Sequence, residues 1–239
     1  MMEQKEQIWP YCQKGPNRSV CFKEQFLEKA CQSFPIHLTK VVILHLDLLK
    51  PSFDRLLAKN DEKRIVKDDS EFQELDLSGP NVRVIYLTRD PRDIMHSRMT
   101  TVSWCKDHSV CSSTYKVCQD LNEEIKTAKE LQKKFPEIFK ILKYEDMAGF
   151  PEETFKELFT WLGLEFNNKM KEVVNSFTAE DNVRSNEARS VKKNSKARIA
   201  RWKGRMKSED IKEIEDACVN YMLENSYALS EMDNDLEEH

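Results

Sequence analysis

Glycine is scarce, with five residues in 239. Loops that wrap a phosphate lean on glycine where the backbone must approach the anion closely, so a chain built on several such loops is excluded. Long apolar runs are absent as well. The longest is the four residues Val41–Leu44, against the roughly 20 that a membrane-spanning helix needs. The opening residues, Met-Met-Glu-Gln-Lys-Glu-Gln, carry no apolar signal region. Read literally, the chain is soluble and stays where it is made. Cys-x-x-Cys does not occur, which removes the usual zinc spacing. Seven cysteines are present, at 12, 21, 31, 105, 111, 118 and 218. Their number is odd, so at least one is unpaired within the chain. One or two disulfides of a secretory compartment and buried free thiols both fit this count.

The residues that remain describe a polar globular chain, 39% hydrophobic and 33% charged, large enough for one domain with a full core. The net charge of −4 conceals a segregation. Arg184 to Lys207 holds ten basic residues against the single acid Glu187, whereas Glu209 to His239 holds eleven acids against Lys212. That pattern argues for a local anion site rather than a chain-wide affinity for polyanions.

The most informative stretch runs from Asn81 to Met99. Val82, Val84, Ile85, Tyr86 and Leu87 are β-branched, aromatic or apolar, so 82–87 reads as a buried strand. Asp90 suits a helix N-cap and Pro91 the first helical position, so the strand turns directly into a helix. Arg89 then sits at the carboxyl end of the strand, where open parallel sheets place their ligands. A guanidinium fork beside the free N–H groups of a helix start suits a phosphate. Ser97, eight residues after Arg89, adds a hydroxyl from the helix. Taken alone, Arg-Asp-Pro-Arg is an ordinary strand-to-helix turn with solvated arginines.

Elsewhere the pattern predicts a polar arm over 1–17, a short amphipathic helix over 20–33, and a second buried strand over 36–46 interrupted by Lys40. It predicts a helix from Leu48 to Leu57 with Pro51 near its start, and a charged surface connection over 59–80. Val117, Leu121, Ile125, Ala128 and Leu131 define one face of a helix over about 112–134. Residues 138–144 form a third strand, and Pro151 opens a helix that Gly163 stops. Residues 178–207 read as a long basic loop. Ser208 caps a last helix with Ile211, Ile214, Cys218 and Met222 inward, and an acidic disordered tail follows from Glu231. Three strand–helix units of this kind give an α/β domain with a central parallel sheet.

A strand, Arg-Asp-Pro-Arg, and a serine eight residues on resemble the 3′-phosphate-binding segment of sulfotransferases that use PAPS (3′-phosphoadenosine 5′-phosphosulfate). The likeness is closest to the Golgi carbohydrate 6-O-sulfotransferases. Leu142-Lys143-Tyr144-Glu145-Asp146-Met147, then Pro151-Glu152-Glu153 and Phe159-Thr160-Trp161-Leu162-Gly163-Leu164, resemble that family's Arg-Tyr-Glu-Asp-Leu…Pro…Phe-Leu-Gly-Leu run. Arg198-Ile199-Ala200-Arg201-Trp202-Lys203 resembles its Arg-Trp-Arg segment, which closes over the nucleotide. The resemblance covers roughly residues 18–227, flanked by an arm over 1–17 and a tail over 228–239.

The resemblance implies a P-loop-NTPase-like sulfotransferase fold, a central parallel sheet flanked by helices. It implies PAPS as co-substrate, no metal, a carbohydrate acceptor and a Golgi setting. Arg89 and Ser97 would hold the 3′-phosphate, Tyr144 the adenine side, and Arg198 and Arg201 would close over the nucleotide. Lys40 would lie near the transferring group, although the family's Lys-x-x-Arg pattern has Ile43 in place of its arginine. His37, His45 and His96 are available as a general base and nothing selects among them. The family's first strand and its Gly-x-Arg-Thr/Ser-Gly-Ser-Ser loop have no counterpart, since Gly15-Pro16-Asn17-Arg18-Ser19 reads as a turn. The expectation is therefore a fragment, a truncated isoform or an incomplete gene model. Two other readings stand beside the enzyme: a non-catalytic nucleotide- or polyanion-binding remnant, and nucleic-acid binding through 184–207. Trp202 alone is interleaved with that basic run, which disfavours nucleic acid as a partner.

Overall fold

A computed structural model describes residues 36, 38–41, 45–58, 82–102, 105, 109–178 and 195–230. The chain divides into two compact units, Met1–Leu44 and His45–His239. In the first, residues 36 and 38–41 are exposed and outside any regular element. None of the described residues of the strand expected over 36–46 lies in a strand, and residues 37 and 42–44 of that run fall outside the described residues. β-branched residues favour a pleated conformation, but a strand persists only with a neighbour to take its backbone hydrogen bonds. Among the described residues the sheet has two strands, not three. The end of that run becomes a 3₁₀ turn, Leu46–Leu49, in the second unit. Leu46 and Leu49, three apart, share one face of such a turn and are both buried. The arm, the connection over 59–80 and the acidic tail fall outside the described residues.

The second unit continues with α1 (Lys50–Ala58), where Pro51 is second in the helix. The central stretch follows as β1 (Val84–Thr88) and α2 (Pro91–Thr100). Asp90 caps α2 with its side chain accepting from Arg92 N at 2.9 Å, and Pro91 occupies the first helical position. Next come the four-residue α3 (Ser109–Ser112) and the long α4 (Thr114–Lys134). Ser113 caps α4 and accepts from Lys116 N. β2 (Phe139–Lys143) runs parallel to β1, with Val84 opposite Phe139 and Thr88 opposite Lys143. Tyr144 does not extend the strand but starts α5 (Tyr144–Gly149). α6 (Pro151–Trp161) ends at Gly163, whose φ of 70° lets Leu164 N donate back to Phe159 O at 2.8 Å. α7 (Asn168–Thr178) was not anticipated by the basic-loop reading that begins at 178. The last helix is split in two at Cys218, giving α8 (Ser208–Ala217) and α9 (Val219–Glu224). Lys207, not Ser208, is the cap residue of α8.

The main core joins α2, α4, α8 and α9 through Met95, Val117, Cys118, Ile125, Ile214 and Tyr221. Tyr86 and Ile141, one from each strand, pack on its edge. Phe53 of α1 meets Phe135 and Phe139 at ring separations of 4.9 and 5.9 Å. Two disulfides form among the described residues, Cys105–Cys111 and Cys118–Cys218. The second ties α4 to the break between α8 and α9. One side chain of α4 repairs that break: Asn122 Nδ2 donates to Ala217 O at 3.1 Å, while its Oδ1 accepts from Tyr221 N at 2.7 Å. No helix among the described residues is long and apolar enough to cross a membrane.

Candidate functional site

The register fixes the site. Because Thr88 lies opposite Lys143, the next residues in each strand direction, Arg89 and Tyr144, emerge side by side at the carboxyl end of the sheet. The Arg89 guanidinium carbon lies 4.3 Å from the centre of the Tyr144 ring, within cation–π range. Arg89 Nη2 is 3.7 Å from Asp93 Oδ2, and the Arg89 side chain keeps 29% of its surface exposed. Its Nε is buried with no hydrogen-bond acceptor among the described residues. Such a donor suits an oxygen of a bound anion.

The backbone of Arg89 is clamped. The hydroxyl of Tyr221, a residue only 1% exposed, accepts from Arg89 N at 3.2 Å and donates to Arg89 O at 3.1 Å. Asp90 N donates to Glu145 Oε1 at 2.9 Å, and Tyr227 Oη donates to Glu145 Oε2 at 2.9 Å. Neighbouring strand ends are thus locked to each other and to α9.

The two arginines of the motif behave in opposite ways. Arg92 is 4% exposed and turned inward. Its Nε and Nη2 reach the Asp90 carboxylate at 3.0 and 2.7 Å, and its Nη1 reaches Glu215 Oε1 at 2.6 Å. Its guanidinium lies 4.1 Å from the centre of the Trp202 ring. Arg92 is a structural tie between α2, α8 and the basic loop, and the sequence reading assigned it no role. The signal was its position: a cation in the first turn opposes the helix dipole and must find carboxylates.

The basic loop lies across the two strand ends. The turn Lys196–Arg198 packs on α5. Ala200 N donates to Asp93 Oδ2 at 3.1 Å, and Trp202 is buried against Arg92. Ala200 holds a φ of 55°, a left-handed conformation that costs a non-glycine residue and persists where its surroundings impose it. Arg198 and Arg201 are half-buried and Arg205 is exposed. Burial in Trp202 also removes the one aromatic that a nucleic-acid base could stack on in that run.

Electrostatics bind these pieces into one cluster. Burial pushes the Tyr144 phenol up, against the pull of Arg89 and Arg198. Burial raises the Asp93 carboxyl despite Arg89. Burial lowers Arg201, and Arg205 and Arg198 lower it further. Of the six residues singled out in the sequence, Arg89, Tyr144, Arg198 and Arg201 therefore come together. Ser97 is half-buried one turn beyond Asp93 on α2, on the same stripe by helical spacing. Lys40 belongs to the first unit, exposed and outside a strand.

Residues 23–227 match the model of the sulfotransferase domain family. Carbohydrate sulfotransferase 1 of mouse, rat and human is each 22% identical over 169 residues, a stretch that covers 65% of this chain and 41% of the relative. The chain thus spans about two fifths of the length of these curated relatives. No solved structure matches it significantly. With a strand–Arg-Asp-Pro-Arg–helix turn at the end of a small parallel sheet and a family match over most of its length, the chain belongs to the sulfotransferase domain family.

Proposed function

We propose that this chain carries the nucleotide-holding part of a sulfotransferase that moves a sulfuryl group from PAPS to a carbohydrate hydroxyl. The observation that carries the reading is Arg89, a guanidinium at the sheet end with a buried, unsatisfied Nε, stacked on Tyr144 and facing two further arginines. Arg89 and Ser97 hold the 3′-phosphate, the Tyr144 ring borders the adenine, and Arg198 and Arg201 close over the nucleotide. PAPS supplies the activated sulfuryl group. The protein contributes position and positive charge, as in phosphoryl transfer. Lys40 is the candidate for contact with the transferring group, and no metal is required. The nucleotide-binding domain is assigned to 18–227, between an arm over 1–17 and a tail over 228–239. Two disulfides support an oxidising setting such as the Golgi lumen. The similarity to carbohydrate sulfotransferases supports the acceptor class.

A second reading is a non-catalytic nucleotide- or polyanion-binding remnant of such an enzyme. The Gly-Ser-Ser loop that would hold the leaving phosphosulfate is absent from the sequence, and its N–H groups would stabilise the charge developing there. Under that reading the chain binds nucleotide without turnover. Calorimetry with PAP (the desulfated nucleotide), followed by a radiolabelled-sulfate transfer assay on a mixed glycan panel, separates the two. Binding with transfer supports the enzyme, binding without transfer the remnant. Absence of PAP binding overturns both.

A further inference from the structure

The basic loop is fastened beside the sheet end at closely spaced points. Ile199 lies over Gly149 of α5, where its Cδ1 would stand 3.6 Å from a side-chain carbon added to the glycine. Ala200 N donates to Asp93 Oδ2 at 3.1 Å, with the Ala200 backbone held at a φ of 55°. Trp202 is buried, its ring centre 4.1 Å from the Arg92 guanidinium carbon. Two half-buried arginines flank the middle fastening. Arg201 is carried between Ala200 and Trp202. Arg198 ends the turn that packs on α5, the helix that Tyr144 begins.

Asp93 is the member that the sequence did not single out. It is 1% exposed, and a buried carboxylate is costly unless its partners compensate. Those partners belong to the site. The oxygen that accepts from Ala200 N, Oδ2, also lies 3.7 Å from Arg89 Nη2. The other, Oδ1, is buried with no hydrogen-bond donor among the described residues. One oxygen thus joins the arginine at the sheet end to the backbone of a loop 107 positions away. A place in the first turn of α2 lets the helix dipole offset part of the cost, but a dipole needs no contact with a loop. The left-handed Ala200 likewise persists only where its surroundings impose it, and the Asp93 bond supplies that constraint. We propose that Asp93 is a positioning residue: it latches residues 198–202 across the carboxyl end of the sheet, so that Arg89, Arg198 and Arg201 are arranged around the anion before it binds. The effect on the ligand rests on the nucleotide reading given above; the latch itself does not. Ordering the loop in advance lowers the entropy that a ligand must otherwise offset. By charge alone an acid here would repel a phosphate, so its place is explained by what it accepts.

Charge and latch give opposite signs. If charge alone mattered, removing this carboxylate would tighten PAP binding. Under the latch, Asp93→Ala and Asp93→Leu, which delete the acceptor with and without leaving a gap, should weaken PAP binding to the full chain about tenfold by calorimetry, the scale of one lost charged contact. Asp93→Asn keeps an acceptor oxygen for Ala200 N and drops the charge, and it should bind at least as tightly as the wild type. A second readout needs no nucleotide: brief trypsin digestion of the free full chain, with the cuts mapped by mass spectrometry. Cleavage after Arg198 and Arg201 should be several-fold faster in Asp93→Ala and Asp93→Leu and stay at the wild-type rate in Asp93→Asn. Cleavage after Lys134, in the last turn of α4, should be the same in all four proteins. Equal cutting at Arg198 and Arg201 throughout, or cutting after Lys134 that rises in parallel with them, marks Asp93 as a merely structural residue and overturns the latch. Unchanged or tighter PAP binding without the acceptor, or an equal loss in Asp93→Asn, overturns the positioning role and leaves the nucleotide reading intact. A wild type that fails to bind PAP while showing the expected trypsin pattern overturns the nucleotide reading and leaves the latch standing.

Discussion

At the residue scale, the site turns on two arginines three positions apart with opposite fates. Arg89 keeps 29% of its side chain exposed and has an unused donor, so under the proposed function its loss removes a ligand contact along with its contacts to Asp93 and Tyr144. Arg89→Ala should weaken PAP binding at least tenfold by calorimetry, since a desolvated charge-assisted contact is worth about 1.5–3 kcal/mol. Arg92 is the reverse case. Truncating it strands the buried carboxylates of Asp90 and Glu215, and Arg92→Met should cost about 3–5 kcal/mol in urea denaturation. His96 gives a pH signature to the empty protein. Its folded form resists protonation, whereas the unfolded chain protonates near pH 6.5. Below that value the unfolded state binds more protons, so stability falls as pH drops. The urea midpoint should decrease between pH 7.5 and 5.5, and His96→Gln should lessen that decrease. The position of Arg89 was legible from its sequence, because Asp90 and Pro91 announce where the strand stops. The inward turn of Arg92 was not, because its second carboxylate comes from Glu215, 123 positions away.

Between elements, the order of strength differs from what propensity suggests. The amphipathic face of α4 was readable because five apolar residues at helical spacing leave one solution. The run from Ile36 to Leu46 looked equally decisive, yet its described residues 36 and 38–41 lie outside any strand, and a strand needs a partner that no local pattern encodes. The split of the last helix at Cys218 was also invisible, since Ile214, Cys218 and Met222 keep helical spacing across it. Asn122 makes the split tolerable by serving both broken ends. Asn122→Ala should therefore destabilise the protein by about 1–3 kcal/mol. Because Tyr221 leads from that break to the Arg89 backbone, the variant should also weaken PAP binding, which calorimetry on the folded protein would register.

For the molecule as a whole, the Cys118–Cys218 bond is the longest-range covalent constraint among the described residues, with a sequence separation of 100. Closing a loop of that length removes chain entropy from the unfolded state worth about 4–5 kcal/mol in the entropic account. The double variant Cys118→Ser, Cys218→Ser should lower the thermal midpoint, and reductant should lower that of the wild type further than that of the variant, which keeps Cys105–Cys111. The pairing could not be read from cysteine count, because seven thiols leave many partners open and only the packing of α4 on α8 selects this one. The bond has an operational consequence. A single proteolytic nick anywhere between positions 118 and 218 leaves the amino-terminal piece, with the Arg-Asp-Pro-Arg turn, still fastened to the carboxyl-terminal piece that bears Tyr221. Such a clipped molecule would migrate as one band without reductant and as two with it, and without thiols Arg89 would stay beside the Tyr221 hydroxyl that clamps its backbone.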